Sequence, residues 1–366
     1  MTLSTKKKAI QACINALEQA QNNNQPLCIV GSASKLGKMQ RSSSCHLLRM
    51  DEFAGVINYE PSELFVTAMA GTTMRHISAI LARQGQRLAF DAPQQQGTLG
   101  GVVATAASGP ASHRLGRVRD AMLGVEMVNG LGQALKFGGE LMKNVAGFDI
   151  ARLNCGAYGK LGPIVAVTLR VCPAAEKTLN FVTAECPADK ALEHILQQGK
   201  INAVAAASWV DGRVYVRLEG TANLLDSLQH DYHGWSKIQA NQTLWQRLAK
   251  QEFSQMSDRH HMIVSMTCQP DTPINCLPDA ELFCLDQGAA LRWYKLPINQ
   301  NLRMLSQDMF RRLAEQGVEL VRYHQSRMPL GNMAAIYEPT AKLQRRVLAA
   351  FDPQGICNPD LTWNGL

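Results

Sequence analysis

The sequence predicts an α+β protein of more than one domain, and three observations carry that prediction. The chain has 366 residues, more than one ordinary domain, and its 46% apolar content is enough for substantial cores. Segments with helical spacing alternate irregularly with short strand-like runs, without the regular rhythm of a doubly wound sheet. Half of the 28 glycines fall between Gly97 and Gly162, and after Pro173 such clusters stop.

The elements follow in order. Residues 6–21 carry Ile10, Cys13, Ile14 and Leu17 on one helical face and lead into Leu27-Cys-Ile-Val30, a short apolar run that reads as a buried strand. Strands are expected near 55–58 and 64–70. A helix is expected over 73–84, with Thr73 as its cap and Ile77, Ile80 and Leu81 as its stripe. Runs at 122–128 and 133–137 read as a hairpin joined through Asn129-Gly130. A strand over 164–171 closes this half. Beyond it, strands are expected at 178–184, 203–210 and 213–219, and helices at 188–198, 221–230, 239–255, 300–316 and 340–351. The last carries Lys342, Arg345 and Arg346, expected near its C-terminal half, where the helix dipole favours cations.

The glycines need a physical cause, because glycine weakens helices and strands unless backbone must bend or lie close to something bulky. A diphosphate is one such object, with turn amides and a helix start converging on its oxygens. Two loops qualify: Gly31-Ser-Ala-Ser-Lys-Leu-Gly37, directly after the first strand, and Gly97-Thr-Leu-Gly-Gly101. The first is not a Walker A loop, which needs four residues between its glycines and Ser or Thr after Gly-Lys; here five intervene and Met39 follows Lys38. No strand-linked G-x-G-x-x-G with a downstream acidic residue supports a nicotinamide dinucleotide.

The order and spacing of these loops resemble the FAD-binding domain of the vanillyl-alcohol oxidase and p-cresol methylhydroxylase superfamily. The resemblance continues through residues 104–109, Arg119-Asp120, Asn129-Gly130, the string from Gly138 to Asp149, Gly156-Ala-Tyr-Gly-Lys-Leu-Gly162 and the strand after it. It resumes at Phe351-Asp-Pro-Gln-Gly-Ile-Cys-Asn-Pro359. It implies a two-part p-cresol methylhydroxylase-type FAD-binding domain over 1–172, an α+β cap over 173–345 and a terminal segment, 346–366, returning to the flavin domain. It also implies FAD contacts at Gly31, Ser32, Ala33, Ser34, Lys35, Gly97, Thr98, Leu99, Gly100, Gly101, Ala104, Ser108, Gly109, Gly162, Ile164 and Asn358. The covalent-flavin members carry a histidine in or near the phosphate loop; residues 31–37 have none, so the FAD is expected to be non-covalent, with His46 structural.

Within that superfamily, Lys143-Asn-Val-Ala-Gly-Phe-Asp-Ile-Ala-Arg-Leu153 and the chain length resemble the FAD-binding subunits of bacterial glycolate oxidases. What this implies is a subunit of a complex that oxidises glycolate to glyoxylate and passes electrons through a homologous flavoprotein subunit and an iron–sulfur subunit. Two departures stand out: Pro163, where related chains carry a small or apolar residue, and Asp360, in place of a glycine after the terminal Asn-Pro. The H-G-x-x-G-D-G-N-x-H type segment of substrate-oxidising relatives is absent, so no catalytic acid or base is assigned. Two alternatives stay open: a stand-alone FAD-dependent 2-hydroxy-acid dehydrogenase, and a non-catalytic flavin-binding assembly subunit.

Other function classes fit less well. A net charge of +7 would suit nucleic acid, yet the cations are dispersed, and the one triple, Lys6-Lys-Lys8, reads as a solvated helix start. The ten cysteines include no C-x-x-C, and Cys268, Cys276 and Cys284, eight residues apart, fit neither zinc nor ferredoxin-type spacing. They are expected to be buried thiols, and no metal is expected. Neither His230 and His233 nor His260-His261 forms a ligand set. Lys143, Arg119, Arg292, Tyr323 and His324 are candidates for tuning a flavin, with packing or ion pairing the plainer reading of each. No apolar signal core or long apolar segment occurs, so the chain is expected to be cytoplasmic, touching the inner face of the cell membrane only peripherally through its complex.

Overall fold

The structure is a computed structural model that describes residues 2–33, 45–92, 97–140, 149–239, 242–257, 260–297, 307–324 and 338–359. Among the expectations above, those for Ser34, Lys35, Lys143, Asp360 and most of the string 138–149 lie outside these residues. The chain forms two compact units. The first comprises 1–108, 116–174 and 342–361; the second comprises 109–115, 175–341 and 362–366.

The first unit opens with the helix Thr2–Asn22. It carries strands β1 (Leu27–Val30), β2 (His46–Arg49), β3 (Val56–Glu60), β4 (Phe65–Met69), β5 (Gln86–Leu88), β6 (Met122–Val128), β7 (Ala134–Gly138) and β8 (Ile164–Pro173). β1 and β2 pair in parallel. The others form an antiparallel sheet in the order β3-β4-β8-β6-β7, with β5 beside β8. Alternation is lost in the centre of this sheet: every residue of β4 is buried, as a strand covered on both faces requires. One core packs the helices Met74–Ala82 and Leu99–Thr105 onto the sheet through Ile77, Leu81, Val102 and Val103. The other packs Ala9, Cys13 and Leu17 of the first helix against Leu27, Leu48, Met50 and Val165. Lys6, expected to be solvated, instead reaches Glu126 of β6 at 3.0 Å.

The hairpin β6–β7 forms as expected, joined through Asn129 and Gly130. Residues 129–133 make a loop in which Asn129 Oδ1 accepts from the amides of Leu131 and Gln133, at 3.1 and 2.9 Å, and Gly132 takes the positive φ of +74°. Gly130 is small for another reason. A Cβ there would lie 2.5 Å from Asp352 Oδ1, because residues 351–357 pack on the hairpin.

The second unit is an eight-stranded antiparallel sheet built from β9 (Lys177–Val182), β10 (Val204–Val210), β11 (Arg213–Gly220), β12 (Ser236–Ile238), β13 (His261–Cys268), β14 (Glu281–Asp286), β15 (Leu291–Pro297) and β16 (Val318–His324). The strand order is β12-β9-β11-β10-β14-β15-β13-β16. The helices Ala188–Gln198 and Ala222–Leu228 pack on it through Ala191, Ile195 and Leu225. Gln242–Lys250 packs through Leu244, Trp245 and Leu248, and Gln307–Glu315 through Leu313. The fold class is α+β, as the sequence predicts. The helix Glu338–Phe351 ends where expected but begins two residues early. Arg345 and Arg346 therefore lie in its C-terminal half and Lys342 in its N-terminal half, and its last turn holds no basic residue.

Candidate functional site

The site is built on β1 and the segments that close around its C-terminal end. β1 is extended on its far side by the terminal segment: Leu27 donates its amide to Ile356 O at 2.8 Å, and Asn358 donates its own to Leu27 O at 2.9 Å. Asn358, at φ +47°, then acts as a clamp. Its Oδ1 accepts from the Ile29 amide at 2.8 Å, and its Nδ2 donates to Tyr158 O at 2.7 Å. One side chain thus ties the strand before the first glycine loop to the turn 156–162.

The two glycine loops meet at Thr98. The Thr98 hydroxyl caps the helix Leu99–Thr105 by accepting from the Gly101 amide, and it lies 2.2 Å from where a Cβ on Gly31 would stand. Gly31 is therefore required by packing against the second loop. Three amides of that second loop are already committed. Leu99 donates to Thr72 O and Gly100 to Ala70 O, both at 2.8 Å, and Gly101 donates to Thr98 Oγ1 at 3.3 Å. For these three N–H groups the expectation of convergence on phosphate is corrected: Gly100 and Gly101 provide clearance, not donors. Gly100 clears Ala70, whose Cβ would lie 2.9 Å away, whereas a Cβ on Gly101 meets only Thr98 Oγ1 at 3.1 Å.

These segments enclose a cleft of about 730 Å³, solvent at its mouth included. Gly31, Ser32, Ala33, Gly97, Thr98, Gly100, Gly101, Ala104, Gly162, Ile164 and Asn358 all line it. Leu99 does not; it is fully buried in the core beneath. Ser108 turns its hydroxyl to Ala106 O, and Gly109 belongs to the second unit. The residues missed are Ile29, Val30, Met50, Ala70, Val102, Thr105, Tyr158 and Gly159. Only Tyr158 and Gly159 carried a signal, through their glycine-rich string. Among the described residues no charged side chain lines the cleft.

Burial raises three thiols of this unit. Burial pushes Cys13 up to about 12, and Cys155 as well, with Arg119 and Arg152 opposing the latter. Cys357 is raised by burial and then by Asp352. Of the tuning candidates, neither Arg119 nor Arg292 lines the cleft. Arg292 is wholly buried in the second unit, where it donates to the carbonyls of Ala289, Pro273 and Pro270 at 3.0–3.2 Å. Arg119 is exposed, and Asp149 pairs with Arg152 at 3.1 Å. Cys268, Cys276 and Cys284 are buried, no disulfide joins any of the cysteines, and no metal-binding group of side chains occurs among the described residues.

Apolar walls, two hydroxyl-bearing loops and glycines that keep backbone close make a cradle suited to a dinucleotide, and comparison with known proteins agrees. Residues 7–138 match the family model described as an FAD binding domain. The glycolate oxidase subunit GlcE of Escherichia coli (strain K12) is 30% identical over 352 residues, 95% of this chain and 96% of that protein. The D-lactate dehydrogenase of Archaeoglobus fulgidus is 29% identical over 43% of this chain and 38% of its own length. The D-2-hydroxyglutarate dehydrogenase of Xanthomonas citri pv. viticola is 26% identical over 48% and 43%. A solved alkyldihydroxyacetonephosphate synthase shares the fold, with a TM-score of 0.65 and 14% identity over 97% of this chain and 75% of that one. The protein is thus an FAD-dependent oxidoreductase by class, and its cofactor is FAD. Within that class, the chain belongs to the family of the glycolate oxidase subunit GlcE.

Proposed function

We propose that the cleft between residues 29–33, 97–105 and 156–164 holds FAD non-covalently, and that the chain is the FAD-binding subunit of a complex that oxidises glycolate to glyoxylate. A homologous flavoprotein subunit and an iron–sulfur subunit complete the complex and carry electrons onward, and the assembly works at the inner face of the cell membrane. Among the described residues no helix is long and apolar enough to cross a membrane. The observation that carries this reading is the extent of the GlcE match, 95% of this chain. The hydroxy-acid dehydrogenases align over about half of the chain or less.

FAD supplies the redox chemistry; the protein supplies binding, orientation and exclusion of water. In this chain Asn358 fixes the distance between the two walls, Thr98 holds the glycine loops against each other, and Gly101 keeps the floor open. With no cation among the described lining residues, the polar contacts offered to a diphosphate come from the backbone of residues 31–33 and the hydroxyls of Ser32 and Thr98. No described lining residue is a cysteine or histidine, which suits a cofactor held without a bond to either.

The test uses the chain purified alone and with its partner subunits. Alone, it should be yellow, release FAD on acid precipitation and bleach slowly or not at all with anaerobic glycolate. Adding the partner flavoprotein and iron–sulfur subunit should restore reduction. Rapid bleaching of the isolated chain would instead establish a self-sufficient dehydrogenase, and colour retained in the acid pellet would refute non-covalent binding.

A further inference from the structure

Among the described residues lining the cleft, Tyr158 is the only one with an aromatic ring and the only one with a titratable side chain. Its backbone is left-handed, at φ +54°, in a turn where Gly156 and Gly159 hold φ +81° and +77°. Side chains with a Cβ avoid that region, and glycine enters it without strain. The conformation is nevertheless locked. The Tyr158 amide donates to Ala104 O at 2.8 Å, and its carbonyl accepts from Asn358 Nδ2 at 2.7 Å.

Burial does not explain the choice of residue, because Tyr158 is only half-buried and belongs to none of the apolar cores. A left-handed backbone at a residue with a Cβ, placed on the wall of a cleft, points to function. The other described lining residues are glycine or carry small polar or aliphatic side chains, which admit a dinucleotide and include no aromatic ring for its rings to lie against. An aromatic ring with a polar tip supplies both a flat surface and a hydrogen-bonding end.

Resting on the reading that this cleft holds FAD, we propose that Tyr158 is a cofactor-contacting residue whose ring packs against the dinucleotide and fixes where it lies. The experiment compares full-length wild type with Tyr158→Gly, Tyr158→Asn and Tyr158→Phe. Each is stripped of flavin and titrated with FAD by flavin fluorescence, and the melting midpoint of each apoprotein is recorded. Glycine and asparagine both tolerate the left-handed backbone. They should weaken FAD binding by about tenfold or more, yet leave the apoprotein midpoint at or above that of wild type. Phenylalanine should restore affinity to within about threefold. Glycine and asparagine variants that bind FAD as wild type does would overturn the inference, as would a midpoint that falls in step with affinity. Wild-type apoprotein that takes up no FAD would overturn the cofactor reading as well; equal affinities throughout would sink the tyrosine alone.

Discussion

The glycines of the cleft divide according to what a side chain would meet. Gly100→Val would drive its new methyl groups into Ala70, a misfit in a packed wall that costs about 1–3 kcal/mol. Its main symptom should be a lower melting midpoint. Gly101→Val meets only the Thr98 hydroxyl and otherwise enters the cleft, so it should lose FAD affinity by about tenfold or more while the apoprotein melts near wild type. Equal flavin occupancy in Gly101→Val and wild type, read from the ratio of visible to ultraviolet absorbance, would remove this loop from the site. Motif spacing placed both glycines in the loop, and it could not separate them, because the distinction depends on Ala70, thirty residues earlier. Gly130 teaches the same lesson. It looked like a turn glycine, and its smallness answers to Asp352. Met50 was invisible for a simpler reason: it has no motif, and it reaches the cleft only through the fold of the segment after β2.

At the scale of elements, local rules worked where local chemistry decides. Thr73 caps the helix Met74–Ala82 by accepting from the His76 amide, as its position suggested. They failed for Leu99–Thr105, where two glycines in the first turn argue against a helix by about 1 kcal/mol each. The helix forms because Thr98 caps it and because Leu99, Val102 and Val103 are completely buried. Thr98→Ala should therefore cost about 1 kcal/mol in stability, and it should also leave a gap beside Gly31, so flavin release should quicken more than unfolding does. The terminal segment was legible from its resemblance to known flavoproteins. Its clamp was not, since both partners of the Asn358 side chain are distant in sequence. Asn358→Asp keeps the acceptor for the Ile29 amide but sets a carboxylate against the Tyr158 carbonyl. We expect a loss of about 1–3 kcal/mol from the unpaired group, with FAD dissociating faster on dilution. Asn358→Asp retaining flavin as firmly as wild type would refute the clamp.

For the whole molecule, thiol burial sets a pH dependence. Cys13 and Cys155 are pushed up to about 12 in the folded protein against 9.0 when unfolded. A group raised on folding contributes stability that is fully present below the unfolded value and is lost as pH rises through the folded one. Stability should hold to about pH 9 and then decline toward 12, measured as the urea midpoint, and the decline should be shallower in Cys13→Ala. Thiol titration at pH 8 should leave Cys13, Cys155, Cys284 and Cys357 unreacted until denaturant is added, since all four are raised by desolvation. The change of composition at Pro173 signalled a second unit. That residues 109–115 belong to that unit left no mark in the sequence, because Ala111 and Leu115 enter its core from a stretch that reads as a continuation of the second glycine loop.

The clamp at Asn358 also orders events during synthesis on the ribosome. Every other described residue lining the cleft has been translated by Ile164, yet the terminal segment that pairs with Leu27 and the side chain that joins the walls come only after the whole of 175–341 has been made. At about 5–20 residues per second, the cleft waits roughly ten seconds or more without its last wall. On the proposed reading of the cleft, we expect FAD loading to be among the last steps of biogenesis: chains released before Asn358 should not retain flavin. A ribosome that stalls within the second unit leaves behind a chain with nearly all of its cofactor contacts and nothing to fasten them.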